Sequence, residues 1–210
     1  MLHAISVPNT CILCPRSRCF GQRNQGSTRF CLRASLPDNN GEFKVEYTPW
    51  LVVGLGNPGN NTGAIGEVPI FLAKPQAYMN FSGESVGPLA AYYQVPLRHI
   101  LLIYDEMSLP NGVLRLQPKG GHGHHNGVKS VMGHLDGSRE FPRLCIGIGN
   151  PPGAMDMKAY LLQKFSPAER NQINEALEQG VEAVRTLVLN GFNQKITRFN
   201  LGQKYKHHKV

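Results

Sequence analysis

Four short apolar runs decide what this chain can fold into. Each is five or six residues long and is followed within two residues by Gly, Pro or Asp; the runs lie at 50–55, 68–73, 100–104 and 144–148. Such runs are typical of strands that are buried on both faces of a sheet. Because helical stretches separate them, we predict an α/β fold: a single domain with a mixed β-sheet flanked by helices.

The most regular helical pattern covers 167–189. Ser166 and Glu169 form a capping box at its start, a proline occupies the first helical position, and an Asn-Gly pair ends it. One apolar stripe is predicted to face the core. The stripe consists of Ile173, Ala176, Leu177, Val181, Val184, Leu187 and Val188. Shorter helices are predicted at 82–93 and 126–135.

The N-terminal segment has the composition of an organelle transit peptide. The first 37 residues contain no Asp or Glu, but they contain five Arg and six Ser or Thr. They also lack the continuous apolar core of a secretory signal. We therefore predict a transit peptide at 1–35, a polar linker at 36–49 and the folded domain at 50–210. The alternative is a basic tail that stays attached.

Charge and cysteine content narrow the classes of function. The whole chain carries a charge of +8, but without its first 35 residues it has 17 Lys and Arg against 14 Asp and Glu. A polyanionic partner would therefore be recognised through local basic patches. No apolar run approaches the ~18 residues of a transmembrane helix, so no membrane partner is predicted. A C-x-x-C pair in the first 35 residues lacks the second half of a zinc site, and Cys145 is predicted to be a buried thiol.

Two turns that follow apolar runs carry side chains suited to binding. The turn Gly-Leu-Gly-Asn-Pro-Gly presents Asn57, whose amide both donates and accepts hydrogen bonds. The next turn presents Tyr78 and Asn80, a pairing that suits a nucleic-acid base through stacking and hydrogen bonding. The alternative for this second turn is that Tyr78 and Met79 simply pack beneath it.

A third turn, Gly-Gly-His-Gly-His-His, precedes Asn126 and a predicted helix. Its histidines could bind a metal or an anion. Because no thiol or carboxylate pattern completes a metal site, we predict a phosphate-facing helix start flanked by Lys119 and Lys129, and no metal. Asp105 ends the third apolar run, where a carboxylate either orients a histidine base or serves as a cap or ion-pair partner.

In this order and spacing, the segments resemble the bacterial-type peptidyl-tRNA hydrolase family. The matching stretches lie at 54–59, 74–86, 104–112, 119–127 and 141–149, and the resemblance continues to about residue 200. It implies that Asn57 discriminates the substrate and that Asp105 steadies a catalytic histidine. The implied contacts to tRNA or to the peptidyl end are Tyr78, Asn80 and Asn126. No cofactor is implied.

Within that family, the chain resembles the plant chloroplast group II intron splicing factors. The stretches at 90–116, 134–153 and 199–210 carry this likeness. The resemblance implies a splicing facilitator of the chloroplast stroma with CRM-domain splicing factors as partners. It also implies group II intron RNA, bound through the partner, with tRNA as an alternative ligand. The transit-like start fits a chloroplast address.

The chain departs from the hydrolase pattern after Gly59. The family continues through a Tyr and a Thr-Arg-His-Asn run into a long helix and another strand, whereas here only a short polar segment precedes Val68. A helix–strand unit of about 30–40 residues is therefore missing, and the catalytic histidine with it. Ser108 and His124 also replace residues that hydrolases tend to have as Asp and Gly.

These departures favour a protein that does not hydrolyse peptidyl-tRNA. A positioned histidine base contributes about 10²–10⁴-fold to such a reaction, and we expect no other histidine to reach Asp105. The eleven residues 57–67 are also too few for a helical crossover between parallel strands, so either the topology changes or one sheet face loses its covering helix. The alternatives are an organellar peptidyl-tRNA hydrolase and a truncated isoform without a stable fold.

Overall fold

The sheet is built from six short strands. A computed structural model of the chain describes residues 47–56 and 59–206, so the predicted transit peptide, most of the predicted linker and Asn57 lie outside the described residues. The strands are β1 (Trp50–Gly54), β2 (Gly59–Ile65), β3 (Val68–Lys74), β4 (Ile100–Glu106), β5 (Leu114–Gln117) and β6 (Arg143–Gly147). All four predicted strands are confirmed as β1, β3, β4 and β6.

The described part of the chain also contains two short 3-10 helices, at Met79–Phe81 and Leu97–His99, and five α-helices: α1 (Ser82–Tyr92), α2 (Asn126–His134), α3 (Met157–Leu162), α4 (Pro167–Asn190) and α5 (Gln194–Lys204). The three predicted helices are confirmed as α1, α2 and α4. The capping box of α4 is present, with Ser166 Oγ accepting from the Glu169 amide at 3.3 Å and the Glu169 carboxylate accepting from the Ser166 amide at 2.8 Å. None of the described helices is long and apolar enough to cross a membrane.

The strand order is β2-β3-β1-β4-β6-β5. The four central strands β3, β1, β4 and β6 are parallel, and the two edge strands β2 and β5 pair antiparallel with their neighbours. The carboxyl ends of the four parallel strands therefore lie along the same side of the sheet. Open α/β sheets carry their binding sites at the carboxyl ends of their strands. The mixed α/β fold predicted from the sequence is confirmed.

Each face of the sheet has its own apolar layer. On one face, Leu51, Val53 and Leu102 pack against α1 and α2. On the other, Trp50, Val52 and other strand residues pack against α4 and α5. This alternation follows from the two-residue period of a strand, which sends successive side chains of the same apolar run to opposite layers.

The segment after β1 explains how parallel strands are joined by so few residues. The chain passes the end of β3, forms β2 at the sheet edge and turns back at Gly66 to lay β3 between β2 and β1. A hairpin thus replaces the helical crossover that normally joins parallel neighbours. Of the two alternatives that the short segment left open, the change of topology is the one observed, and Leu72 of β3 is 43% exposed on the α4 face.

The predicted apolar stripe of α4 is partly wrong. Leu177 and Val181 are 43% and 52% exposed, while Gly180 and Ala183 are buried. The buried positions follow the 3.6-residue repeat of a straight helix, and Leu177 and Val181 lie on its flank. Their apolar character alone predicts that Leu177 and Val181 face the core. Gly180 and Ala183 face it instead, because the helix approaches the sheet closely at these small residues.

Strand β5 and helix α5 were not predicted, and they depend on each other. Asn200 of α5 donates to the Leu116 carbonyl at 2.8 Å and accepts from the Leu116 amide at 2.9 Å. Gln203 accepts from the Leu114 amide at 3.1 Å. Two side chains of a helix therefore satisfy the backbone groups that an edge strand would otherwise leave open.

Candidate functional site

The turn that carries Tyr78 and Asn80 and the histidine turn at 119–127 both meet the end of β1 close to Gly127. A Cβ atom placed at Gly127 would lie 2.5 Å from Met79 Sδ and 2.9 Å from Leu55 Cδ1. Helix α2 can therefore approach the turn before α1 only because residue 127 has no side chain. The sulfur of Met79 lies against α2, but its side chain is 36% exposed, so Met79 does not simply pack beneath its turn.

The predicted contact residues lie on the surface around this junction. Tyr78 is 84% exposed, and Asn80 and Asn126 are exposed as well. Tyr78 therefore does not pack beneath its turn, and its ring face is open to stacking. Asn57 lies outside the described residues, so its position relative to this group stays a prediction.

Asp105 has a histidine partner, contrary to the sequence-based expectation. His125 Nε2 lies 3.1 Å from Asp105 Oδ1, and the His125 ring also contacts the Tyr104 ring edge-on at 5.1 Å. The expectation failed because His125 directly precedes α2, and the backbone there aims its side chain back toward the end of β4. The extended backbone of His125, with φ −78° and ψ 114°, is that of an N-cap residue.

Both ring nitrogens of His125 are engaged. Its Nδ1 atom accepts a hydrogen bond from the Val128 amide at 3.3 Å, which caps α2. A nitrogen that accepts from an amide carries no proton, so the proton sits on Nε2 and is donated to Asp105. Neither nitrogen then has a lone pair free to deprotonate a water. His125 therefore links the end of β4 to the start of α2.

The carboxylate of Asp105 is correspondingly a poorer base. Burial alone would raise the pKa of Asp105, but the hydrogen bond from His125 acts against burial, and that pKa lies below its usual value. Asp105 is thus charged across the neutral range. In this arrangement Asp105 Oδ1 accepts a hydrogen bond from His125 Nε2.

The other two histidines of the turn lie outside this pair. His122 Nδ1 accepts from the His124 amide at 3.1 Å, and the two rings meet edge-on at 5.9 Å. His124 is exposed and has φ +63°, directly after Gly123 at +53°. A left-handed backbone at a residue with a side chain costs roughly 1–2 kcal/mol. The glycine that hydrolases tend to have at this position would avoid that cost.

Arg143 contacts the backbone of the histidine turn, and sequence reasoning did not identify it. It is fully buried at the start of β6, where its guanidinium donates to the Gly121 carbonyl and lies 4.5 Å from the centre of the Phe141 ring. A buried arginine in an apolar strand requires such partners. The signal in the sequence is the single cation at the edge of the fourth apolar run.

The predicted site residues that the structure describes are polar or aromatic and open to solvent. Across residues 47–56 and 59–206, no group of three or more His, Cys, Asp or Glu side chains is placed to hold a metal ion. Two clefts of about 430 and 710 Å³ lie along α5, and none of the predicted site residues lines either. What the described site presents is a stacking ring at Tyr78, two amides and the His122–His124 pair.

The comparison with known families agrees with this geometry. The peptidyl-tRNA hydrolase family model matches residues 61–208, which is most of the chain. The chain belongs to the peptidyl-tRNA hydrolase family. A crystal structure of peptidyl-tRNA hydrolase from Acinetobacter baumannii is similar with a TM-score of 0.67 and 28% identity, covering 75% of this chain and 97% of that one.

Several plant members of this family are much more similar in sequence. A chloroplastic group IIB intron splicing facilitator of Arabidopsis thaliana is 69% identical, over 87% of this chain and 90% of its own length. A second one from the same plant is 59% identical over the full length of both chains. The chloroplastic peptidyl-tRNA hydrolase of Arabidopsis thaliana is 42% identical over 80% of this chain and 70% of its own length.

One of these alignments also shows how many positions this chain lacks relative to a family member. The 210 residues of this chain spread over 246 aligned positions with the second Arabidopsis facilitator, which leaves about 36 positions empty in this chain. That length agrees with the helix–strand unit of about 30–40 residues whose absence the motifs predict. The chain therefore lacks about 36 positions that this relative carries.

Proposed function

We propose that this protein is a chloroplast group II intron splicing facilitator that does not hydrolyse peptidyl-tRNA. The facilitation of splicing rests on the likeness to the two Arabidopsis facilitators, which exceeds the likeness to the chloroplastic hydrolase. The lack of hydrolysis rests on one observation. The histidine beside Asp105 has both ring nitrogens engaged, so it cannot serve as a base.

The remaining parts of the proposal concern location and partners. The acid-free N-terminal segment would act as a transit peptide that delivers the domain to the stroma. There the domain would join a CRM-domain splicing factor and group II intron RNA, with tRNA as an alternative ligand. The exposed groups Tyr78, Asn80 and Asn126, together with Asn57, would provide its RNA contacts, since open rings and amides suit unstacked bases.

Immunoprecipitation of the tagged full chain from chloroplast stroma tests the splicing role. We expect group II intron RNA to be enriched over a tagged stromal control protein, and enrichment to fall when Tyr78 and Asn80 are both replaced by alanine. Intron RNA at the level of the control would contradict the proposed function.

A hydrolysis assay tests the other half of the proposal. The purified full chain should release no N-blocked amino acid from aminoacyl-tRNA above the buffer rate, while a bacterial hydrolase of the family serves as the positive control. Turnover that disappears in the His124→Gln or the His125→Gln variant would identify a working base and make the protein a hydrolase.

A further inference from the structure

The two edges of the sheet end differently. At one edge, Asn200 and Gln203 of α5 hydrogen-bond to the backbone of β5, so that edge is closed. Strand β2 forms the other edge and is paired with β3 on its inner side. Within residues 47–56 and 59–206, no strand pairs with the outer side of β2 and no backbone group hydrogen-bonds to it. The outer side of β2 is therefore an open strand edge.

The turn between β2 and β3 fixes the hydrogen-bonding register of this hairpin. Only Gly66 and Glu67 separate the two strands. In a two-residue turn the flanking residues, here Ile65 and Val68, form a hydrogen-bonded pair. Hydrogen-bonded pairs then recur at every second residue of an antiparallel ladder. The residues of β2 that bond to β3 are therefore 65, 63, 61 and 59.

The intervening residues of β2 point their backbone groups outward. Pro69 supports this register, because it has no N–H and lies opposite Ala64, where β3 donates nothing to β2. The open edge thus consists of the N–H and C=O groups of Asn60, Thr62 and Ala64. Such groups recruit other strands unless charged residues, proline or a bulge protect them. Strand β2 has none of these protections, since it is uncharged, contains no proline and pairs with β3 without interruption.

We propose that the open edge pairs with the same edge of a second copy of this chain, in antiparallel orientation about Thr62. Residue 62 would pair with 62, and 60 with 64, and each of these three pairs would exchange two backbone hydrogen bonds. The outward residues are evenly spaced about Thr62, so a single two-fold axis satisfies all of them. The two sheets would become one continuous sheet. This dimer goes beyond the proposed function, because it uses none of the predicted RNA contacts.

The long helices of two copies would stay clear of each other in this dimer. Directly opposite residues point to the same side of a sheet, so both copies would carry α4 on one side. Helix α4 reaches the β2–β3 turn, where a Cβ at Gly66 would lie 3.3 Å from Leu189 Cδ2. In the antiparallel pair these two turns lie at opposite ends of the joined strands, about 27 Å apart at ~3.4 Å per residue.

The surroundings of the open edge favour a copy of this chain over a foreign peptide. Foreign strands are selected through pockets that take their alternate side chains. Gly63 and Ala64 are exposed, and a Cβ at Gly63 would meet nothing within 4 Å, so this part of β2 offers no such pocket. Antiparallel pairing also brings the Glu67 turn of one copy toward the Lys74 end of the other, and unlike charges favour that orientation.

Sedimentation velocity of the full chain, in the presence of a thiol reductant, tests for this dimer. The weight-average mass should rise from that of the monomer toward that of the dimer between about 1 and about 200 µM, because the interface of one strand pair is small. A monomer at every concentration would overturn the proposal. Species that grow beyond a dimer would also overturn it, because pairing about a two-fold axis leaves no open edge.

Two substitutions at Thr62 locate the interface. Thr62→Pro removes an outward N–H and leaves the hydrogen bonds to β3 in place, so it should weaken dimerisation by at least ~10-fold. Thr62→Val is the matched control, because it keeps the N–H and should dimerise like the wild type. Equal dimerisation of the two variants would show that the backbone of β2 does not form the interface.

Amide hydrogen exchange of the unaltered chain tests the same register without a substitution. The amides of residues 60, 62 and 64 should exchange at least ~10-fold more slowly at about 200 µM than at about 5 µM, because the dimer protects them. The amides of residues 61, 63 and 65 bond to β3 and should be equally protected at both concentrations. If the outward amides exchange at the same rate at both concentrations, the proposed pairing is wrong.

Discussion

At the scale of single residues, the chemistry open to the site depends on which side-chain atoms already make hydrogen bonds. His125 stands beside an acid that resembles the partner of a catalytic histidine, and the distance alone would suggest a base–acid pair. The second hydrogen bond, from the Val128 amide to Nδ1, removes the lone pair that such a base needs. The same histidine thus caps the start of helix α2.

The link between His125 and Asp105 makes a prediction about acid stability. The folded pKa of Asp105 is lowered, so its carboxylate stabilises the fold above its unfolded pKa of about 4, and that contribution is lost as the pH falls through the folded value. Asp105→Asn should therefore be less stable than the wild type near pH 7. The difference should shrink steadily between about pH 5 and pH 2. Urea denaturation at a series of pH values measures it, and a pH-independent difference would contradict the assignment.

Gly127 provides a second residue-scale prediction. Gly127→Ala would place a methyl group 2.5 Å from Met79 Sδ, so we expect a loss of about 1–3 kcal/mol in unfolding free energy. Gly133 is the matched control, because it lies in the same helix and an added Cβ would meet nothing within 4 Å. Gly133→Ala should be neutral or stabilising by up to ~1 kcal/mol. Similar losses in both variants would mean that helix α2 does not depend on a close approach to Met79.

At the scale of elements, α5 takes the place of a neighbouring strand. Residues 200 and 203 are one helical turn apart, and they meet backbone groups of residues 116 and 114, two residues apart in β5. The rise of three helical residues is about 4.5 Å and that of two strand residues about 6.6 Å, a difference that long side chains can span. The edge of the sheet is thereby closed without a seventh strand.

Asn200→Ala should expose this edge. It removes two hydrogen bonds to the Leu116 backbone, and we expect a loss of about 1–3 kcal/mol in unfolding free energy. We also expect more self-association at high concentration, because unpaired strand edges recruit other strands. Gln194→Ala is the control on the same helix, at an exposed position in its first turn. Light scattering and urea denaturation measure both effects; no change relative to the control would show that β5 needs no cap.

At the scale of the whole molecule, the question is whether a family fold survives the loss of about three dozen residues. The described part retains two apolar layers, and the central parallel strands keep cover on both faces except at Leu72. The hairpin of β2 and β3 keeps β1 interior to the sheet. Most of the core is therefore independent of the missing segment.

We accordingly expect the full chain to unfold in a single cooperative transition. Thermal unfolding followed by circular dichroism and by Trp50 fluorescence should give coincident midpoints, because the buried Trp50 reports on the same core as the helices. Separate midpoints, or a broad drift without a transition, would support the alternative of a truncated isoform without a stable fold.

The sequence by itself determined the local elements and the family. Apolar runs, the capping box before Pro167 and the Asn-Gly stop predict four strands and three helices, because these signals act between residues within a few positions of each other. The motif order predicts the family and the length of the missing segment. The sequence did not decide whether Tyr78 is exposed or packs beneath its turn, because the same local pattern occurs in turns that bury an aromatic ring and in turns that expose it.

Only the tertiary structure decided the contacts between distant segments. The pair of His125 and Asp105 is separated by 20 residues, and that of Gln203 and Leu114 by 89. No local periodicity encodes such pairs; they arise when strands and helices are placed in one sheet. The hairpin that substitutes for a crossover, and the exposure of Leu72, likewise follow from where β3 inserts. Neither the contact between His125 and Asp105 nor the exposure of Leu72 can therefore be deduced from the order of residues alone.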